Sequence, residues 1–103
     1  MNFKLSTYSE ICEVIGKRLN TQRISQSLTQ IELAKRAGVS TGTIKNIENN
    51  GQVSLESIIR VVIVLGLVDE LEPLFKLNIK SIAQMEKSEI TRRRVRHKKS
   101  KIK

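Results

Sequence analysis

The sequence has few of the residue types that build disulfide-linked, zinc-bound or aromatic cores. It contains one cysteine, one histidine and no tryptophan, and aromatic residues make up 3% of its 103 residues. One cysteine cannot form a disulfide within the chain, and a single cysteine with a single histidine cannot supply a multi-Cys/His zinc site. A lone thiol fits the reducing cytoplasm, and it equally fits any compartment without redox demands. The core must therefore be aliphatic.

Long apolar segments are also missing. The longest apolar run covers residues 58–68, and Arg60 and Gly66 interrupt it. A membrane-spanning helix needs about twenty apolar residues. The N-terminal segment MNFKLSTYSE lacks the apolar core of a signal peptide. We therefore expect no membrane association and no export, and a cytoplasmic location.

No pattern typical of a catalytic site is present. Cys12 and His97 lie far apart in sequence, and His97 is surrounded by basic residues. There is no Gly-rich phosphate-binding loop. The acidic residues Asp69, Glu70 and Glu72 are explained by a helix N-terminus, where negative charge is favourable. We therefore predict no enzyme activity, no metal site and no cofactor.

Basic charge is concentrated at the end of the chain. Residues 91–103 hold eight Lys and Arg and no acid, whereas residues 1–90 hold 11 basic and 10 acidic residues, a balance of +1. Such a run repels itself, so we expect it to be disordered alone. It suits a phosphate backbone or an acidic partner surface, or it only aids solubility. The candidate contact residues are Arg92, Arg93, Arg94, Arg96, Lys98 and Lys99.

Apolar periodicity and capping residues predict the first two helices. Apolar residues recur at helical spacing over residues 8–24. Thr29 and Glu32 match a capping box, in which each side chain bonds the other residue's backbone N–H, so a second helix begins there. Gly38 suits the left-handed conformation that ends a helix. Both helices are short enough for a small domain.

Three further helices are expected after this point. Ser40 caps the third helix and Ser54 caps the fourth, which ends before a glycine. Residues 58–64 are rich in β-branched residues, which favours a strand, but the cap and the neighbouring helices favour a helix. Residues 69–72 begin a fifth helix with Pro73 in its first turn.

The junction of the second and third helices is typical of a helix-turn-helix. Ala34 is small where the two helices must touch, Gly38 suits the sharp turn, and Val39 fills the core beneath it. The third helix places Ile44 and Ile47 inward and polar residues outward. The expected core consists of Ile31, Leu33, Val39, Ile44, Ile47, Leu55, Ile58, Val62 and Leu65.

Residues 28–49, LTQIELAKRAGVSTGTIKNIEN, resemble the helix-turn-helix of the phage Cro and repressor family, the xenobiotic-response-element class. Residues 54–67 continue the pattern, so the resemblance covers roughly residues 15–75. It implies an all-α, five-helix repressor-type DNA-binding domain.

The expected domain organisation follows from this resemblance and from the charge distribution. The DNA-binding domain covers residues 8–75, with its motif at residues 29–49. Residues 76–90 form a short helix or a linker, and residues 91–103 form the basic tail.

The resemblance also implies which residues face the major groove. Ser40 and Thr41 match the start of the recognition helix, and Gly42, Lys45 and Asn46 match positions that face base edges. Asparagine can bond adenine through two hydrogen bonds, and lysine can reach guanine or a phosphate. Because Gly42 has no side chain, DNA shape is expected to carry a larger share of specificity.

Other motif positions are implied to lie near phosphates or inside the fold. Gln30 matches a position that touches the DNA backbone or an outer base, and Asn49 and Thr43 match phosphate-contacting positions. Arg23 and Glu48 match a pair that ties the first helix to the recognition helix. A DNA contact by Arg23 is the alternative.

An apolar face on the fourth and fifth helices suggests a homodimer. Ile63 stands where relatives usually place a polar residue, and exposed apolar patches mark interfaces. Two-fold dimers on palindromic operators are the usual form of this motif. The proposed dimer contacts are Ile59, Ile63, Leu67, Leu71 and Leu74. The alternative is that residues 77–90 fold back over this face.

Three kinds of regulator remain open. Residues 75–86 and 92–96 resemble, more weakly, HipB-type antitoxin regulators. That resemblance implies an antitoxin that represses its own operon and binds a HipA-type kinase toxin, and this is the function that we favour. A stand-alone repressor is the second possibility. The third is a bridging or RNA-associated protein that acts through its basic tail.

Overall fold

The part of the chain that the structure describes folds into five α-helices preceded by a short 3-10 helix. The computed structural model describes residues 2–50, 52–77 and 86, and no strand occurs among them. The 3-10 helix is Phe3–Leu5, and the α-helices are α1 Tyr8–Ser25, α2 Gln30–Ala37, α3 Thr41–Asn49, α4 Leu55–Val64 and α5 Val68–Leu71. The all-α, five-helix prediction is confirmed. The β-branched segment is helical and lies within α4.

Side-chain caps begin four of the five described α-helices. The predicted capping box at α2 is present, and Ser40 and Ser54 cap α3 and α4 as predicted. A second capping box, which the sequence analysis did not identify, begins α1: the Glu10 N–H donates to Thr7 Oγ1, and the Thr7 N–H donates to Glu10 Oε1. Each cap satisfies backbone groups that a helix end leaves unpaired.

An aliphatic core joins the helices of residues 1–72. The side chains of Leu33, Ile44, Ile47 and Val61 are each 1% exposed, and Leu19, Leu28, Ala34, Ala37, Val62 and Leu65 complete the buried set. α3 packs against α1 and α2, and α4 packs against α2. Burying one such side chain contributes about 1.5–3 kcal/mol, so these contacts fix the placement of α3.

Three predicted positions are corrected by the structure. Ile31 is 66% exposed and Leu55 is 73% exposed, so neither belongs to the core. Ile31 lies two residues before Leu33 and therefore on the opposite side of α2. Leu55 is the first residue of α4, at the end of its apolar face. Pro73 follows α5 instead of lying in its first turn.

The described residues from Pro73 onward belong to a second unit of the chain. Among its described residues the Lys76 N–H donates to the Pro73 carbonyl oxygen at 3.3 Å, and Leu74, Phe75 and Leu77 are exposed. The predicted segment 76–90 lies largely outside the described residues, and the basic tail lies wholly outside them.

Candidate nucleic-acid interface

A tight glycine turn connects α2 to α3. Gly38 has φ +69° and ψ +34°, the left-handed conformation that glycine adopts without steric cost. The Val39 N–H donates to the Ala34 carbonyl oxygen at 3.0 Å, which closes the end of α2. Ser40 then caps α3 through a bond from the Thr43 N–H to its Oγ. The turn therefore fixes the start of α3 relative to α2.

The inward face of α3 lies unusually close to α1. Ile44 and Ile47 are buried on this face. Gly16 of α1 faces the backbone of α3, and a Cβ atom built on it would collide with the Ile47 carbonyl oxygen. Only glycine permits this approach. Gly16 is therefore a structural determinant of where α3 lies.

A buried carboxylate of α3 joins this helix to α1 and α2. Glu48 Oε2 accepts from Arg23 Nε at 2.7 Å, and Glu48 Oε1 accepts from Arg23 Nη2 at 3.1 Å. Oε1 also accepts from Asn20 Nδ2 at 2.7 Å and from Gln30 Nε2 at 3.0 Å. Arg23 Nη1 donates to the Leu28 carbonyl oxygen. We call Glu48 and its three side-chain donors the Glu48 network.

The Glu48 network keeps its central carboxylate ionised. Burial raises the pKa of Glu48, but the hydrogen bonds from Arg23, Gln30 and Asn20 and the positive charge of Arg23 outweigh burial. The pKa therefore lies below its usual value. Arg23 and Glu48 form the pair that the family resemblance implies, with side chains 12% and 5% exposed. Arg23 is accordingly engaged inside the fold.

The outward face of α3 carries polar side chains. Gly42, Lys45, Asn46 and Asn49 are exposed, and Thr41 is half-buried. A Cβ on Gly42 would find Ser40 Oγ at 3.7 Å as its nearest neighbour, so space in front of this helix is open. The face offers amide and ammonium groups at helical spacing. Such groups suit base edges and phosphates.

Three of the predicted DNA contacts already have partners within the fold. The Ser40 and Thr43 hydroxyls lie 2.9 Å apart, so each has a local hydrogen-bond partner. Gln30 belongs to the Glu48 network through its Nε2. Its half-buried side chain stands at the start of α2. A DNA contact by any of these three residues remains a prediction.

The proposed dimer residues differ in accessibility. Ile63 is 55% exposed, whereas Ile59 is half-buried. Leu67 and Leu71 pack against the core. Leu74, in the unit that begins at Pro73, is 50% exposed. Within residues 1–72, Ile63 is thus the most accessible member of the set.

Two site residues were missed by the sequence analysis. Gly16 is the contact point with α3, and Asn20 is a donor of the Glu48 network. Asn20 lies three residues before Arg23, on the same side of α1. That spacing could have identified Asn20 once the pairing of Arg23 was expected. No local pattern marks Gly16.

α2 and α3 are joined by a glycine turn. The inward face of α3 is held by the rest of the fold, and its outward face is exposed. This arrangement is that of a helix-turn-helix DNA-binding domain. In a comparison with family models, the helix-turn-helix family in its Cro/C1-type form matches residues 19–72, more than half of the chain. The chain belongs to this family of DNA-binding transcription regulators.

A search of curated proteins finds no match to the chain. Among the described residues, no helix is both long and apolar enough to cross a membrane.

Proposed function

We propose that the protein is a sequence-specific transcriptional repressor that inserts α3 into the major groove of its operator. The observation that carries this proposal is the contrast between the two faces of α3. Its inward face is fixed by Ile44, Ile47 and the Glu48 network, and its outward face is polar and open. A rigid helix with an accessible polar face is what direct contact with base edges requires.

The outward residues of α3 divide into three groups by their expected roles. Asn46 can accept from and donate to one adenine edge, and Lys45 can donate to guanine or to a phosphate. Thr41 and Gly42, at the start of α3, let the helix approach the bases closely. Asn49, at the end of the helix, lies where a phosphate contact is expected. Base specificity is therefore assigned chiefly to Asn46.

An apolar stripe on α4 supports a homodimer. Leu55, Ile59 and Ile63 recur at intervals of four residues, so they lie along one side of the helix. Leu55 and Ile63 are 73% and 55% exposed. A second copy of the chain on this stripe would pair two recognition helices on an inverted repeat. Ile63→Lys is expected to lower the dimer fraction in sedimentation at a fixed protein concentration.

Selection from a random duplex library by the full-length protein, at near-physiological salt, tests the proposal. We expect an enriched inverted repeat whose half-sites lie about 10 base pairs apart, one helical turn. Placed upstream of a reporter, that site should lower expression only when the protein is present. Absence of any enriched sequence would contradict specific binding. Enrichment without repression would contradict the repressor role.

The partner proposal rests on the resemblance of residues 75–86 and 92–96 to HipB-type regulators. In this proposal the protein acts in the cytoplasm at nucleoid DNA, represses its own operon, and binds a HipA-type kinase toxin encoded beside it. Co-expression of the neighbouring kinase gene should yield a complex that co-purifies at fixed stoichiometry. A stand-alone repressor would bind its operator equally well but have no such neighbour.

The basic tail is proposed to bind DNA phosphates. Its eight positive charges contrast with the +1 balance of residues 1–90. Deleting residues 91–103 should reduce the slope of log affinity against log salt, because fewer counterions are released. An unchanged slope would show that the tail makes no DNA contact. If the full-length protein shows no sequence preference and the deletion abolishes its binding, the result would instead favour the bridging or RNA-associated function.

A further inference from the structure

The side-chain amide of Gln30 is held in one orientation by a buried acceptor. Gln30 Nε2 donates to Glu48 Oε1 at 3.0 Å. Although burial raises the pKa of Glu48, its hydrogen bonds and the Arg23 charge keep that pKa below the usual value. An ionised carboxylate accepts hydrogen bonds and donates none. The nitrogen of the Gln30 amide must therefore face Glu48, because a flipped amide would set two oxygens against each other.

The oxygen of the same amide remains available to a ligand. The Gln30 side chain is half-buried, and no residue that the structure describes donates to its Oε1. Within the described part of the chain, no buried side-chain oxygen or nitrogen lacks a hydrogen-bond partner, so Oε1 reaches the protein surface. Donation from Nε2 to an anion polarises the amide and makes Oε1 a stronger acceptor. Gln30 thus presents a strengthened acceptor to solvent.

Gln30 lies at the edge of the proposed DNA interface. It is the first residue of α2. Its partner Glu48 is next in sequence to Asn49, the last residue of α3, which the proposed function places at a phosphate. The amide is therefore held beside the last turn of α3. A base pair within its reach belongs to the outer part of a half-site, beyond the one assigned to Asn46.

We propose that Gln30 recognises an outer base pair of the operator by accepting a hydrogen bond from an exocyclic amino group, and that Glu48 is the positioning residue for this contact. In the major groove such donors are N6 of adenine and N4 of cytosine, whereas phosphate oxygens only accept. One Nε2 hydrogen is already engaged, and a phosphate at Gln30 would meet the nearby negative charge of Glu48. This inference rests on the proposed function, because it requires α3 in the groove.

Operator duplexes with single changes test the base contact. Replacing one outer adenine or cytosine by the analogue that lacks the amino group leaves the neighbouring phosphates unchanged. We expect the wild type to bind such a duplex roughly fivefold more weakly at one outer position. Gln30→Met, which keeps the length of the side chain without its amide, should show no such loss, and Gln30→Ala replaces it if that variant does not fold. Weaker base pairing affects both proteins alike.

Two results would overturn the base contact. The first is a wild type that is insensitive to the missing amino group at every outer position. The second is an equal loss in the wild type and in Gln30→Met. A neutral methylphosphonate at each neighbouring phosphate should weaken both proteins equally, and a loss confined to the wild type would assign Gln30 to a phosphate instead.

A second comparison tests positioning by Glu48. Glu48→Gln offers both a donor and an acceptor, so the Gln30 amide is free to turn, whereas Glu56→Gln removes the same charge from an exposed ion pair. Under conditions where circular dichroism shows every variant folded, Glu48→Gln should lose discrimination at the outer position and keep it at the Asn46 position. A mere loss of stability would not give this pattern. Glu56→Gln should keep both.

Unchanged discrimination in Glu48→Gln would overturn the positioning role. If that variant does not fold, hydrogen exchange of the wild-type Gln30 side-chain amide replaces it, and one Nε2 proton should exchange slowly. Fast exchange of both protons would overturn the same role. A library selection with no enriched site would overturn the proposed function and this contact with it. An enriched site with insensitive outer positions would overturn the contact alone.

Discussion

The two faces of α3 differ in how many contacts their residues make with the rest of the fold. On the inward face Glu48 accepts four hydrogen bonds from three side chains, and the Ile47 carbonyl oxygen lies against Gly16 of α1. On the outward face Lys45 and Asn46 are exposed, and the space in front of Gly42 is open. Substitutions on the first face should therefore lower stability, and substitutions on the second should change DNA binding without removing contacts that hold the fold together.

This difference shows how a nine-residue helix is held rigidly. A helix of this length is marginal in isolation, so its conformation depends on its neighbours. The Glu48 network and the contact at Gly16 join α3 to two other helices. Because the helix is fixed before DNA arrives, little ordering entropy is lost on binding.

The largest expected loss of stability follows from removing the buried Glu48 carboxylate. Glu48→Ala leaves the Arg23 charge buried without its partner, so we expect the free energy of unfolding to fall by about 3–5 kcal/mol. Urea denaturation followed by circular dichroism measures this change. Glu56→Ala is the matched control, because the Glu56–Arg60 pair is exposed and should contribute at most about 1 kcal/mol. Similar losses in both variants would contradict the role of burial.

A comparison of alanine substitutions at two glycines, one on each side of the α3 contrast, provides the next test. Gly16→Ala forces α1 away from the Ile47 carbonyl oxygen, so we expect a loss of about 1–3 kcal/mol or more. Gly42→Ala, on the open face, should gain about 0.5–1 kcal/mol because alanine favours the helix. Thermal unfolding of both variants measures the contrast. A loss of stability in Gly42→Ala would show that the outward face is packed.

Acid should weaken the Glu48 network. The pKa of Glu48 is lowered from its usual value of 4.5. The unfolded state therefore takes up the proton first as pH falls. The stability that Glu48 contributes is complete above pH 4.5 and is lost as pH falls through its lower folded-state pKa. Denaturation midpoints measured across this range should fall more steeply in the wild type than in Glu48→Gln. Parallel curves would contradict the predicted direction.

The smallest expected effect concerns a local cap. Thr29→Ala removes the Oγ1 that accepts from the Glu32 N–H at 3.0 Å, so we expect a loss of about 1 kcal/mol. Thr21→Ala is a useful control, because its hydroxyl bonds only the Lys17 carbonyl oxygen within α1. A larger loss in the control would contradict the capping role. Chemical denaturation has sufficient precision for this comparison.

Local chemistry explains which parts of the fold were predictable. Thr29, Gly38, Ser40 and Ser54 act on backbone groups within a few residues, so the boundaries of α2, α3 and α4 followed from the sequence. Periodicity identifies an apolar face but not how much of it neighbouring helices cover. Exposed Leu55 illustrates this limit.

Contacts distant in sequence explain what was missed. Gly16 lies against the Ile47 carbonyl oxygen, and Asn20 donates to the Glu48 carboxylate. The two residues of each pair are far apart in the sequence. Arg23 and Glu48 were expected together only through the family resemblance. The tertiary arrangement of α1 and α3 was needed to add Gly16 and Asn20 to the site.

Binding of Asn46→Ala to the selected operator and to its single-base variants tests the central claim most directly. Asn46 is exposed on α3 and alanine is the better helix former, so the variant should unfold at a denaturant concentration no lower than that of the wild type. We expect it to lose about 1–3 kcal/mol of discrimination at one base position in each half-site and to keep its preferences elsewhere. An equal loss of affinity on all sequences, or no loss at all, would contradict the assignment of the outward face of α3 to base recognition.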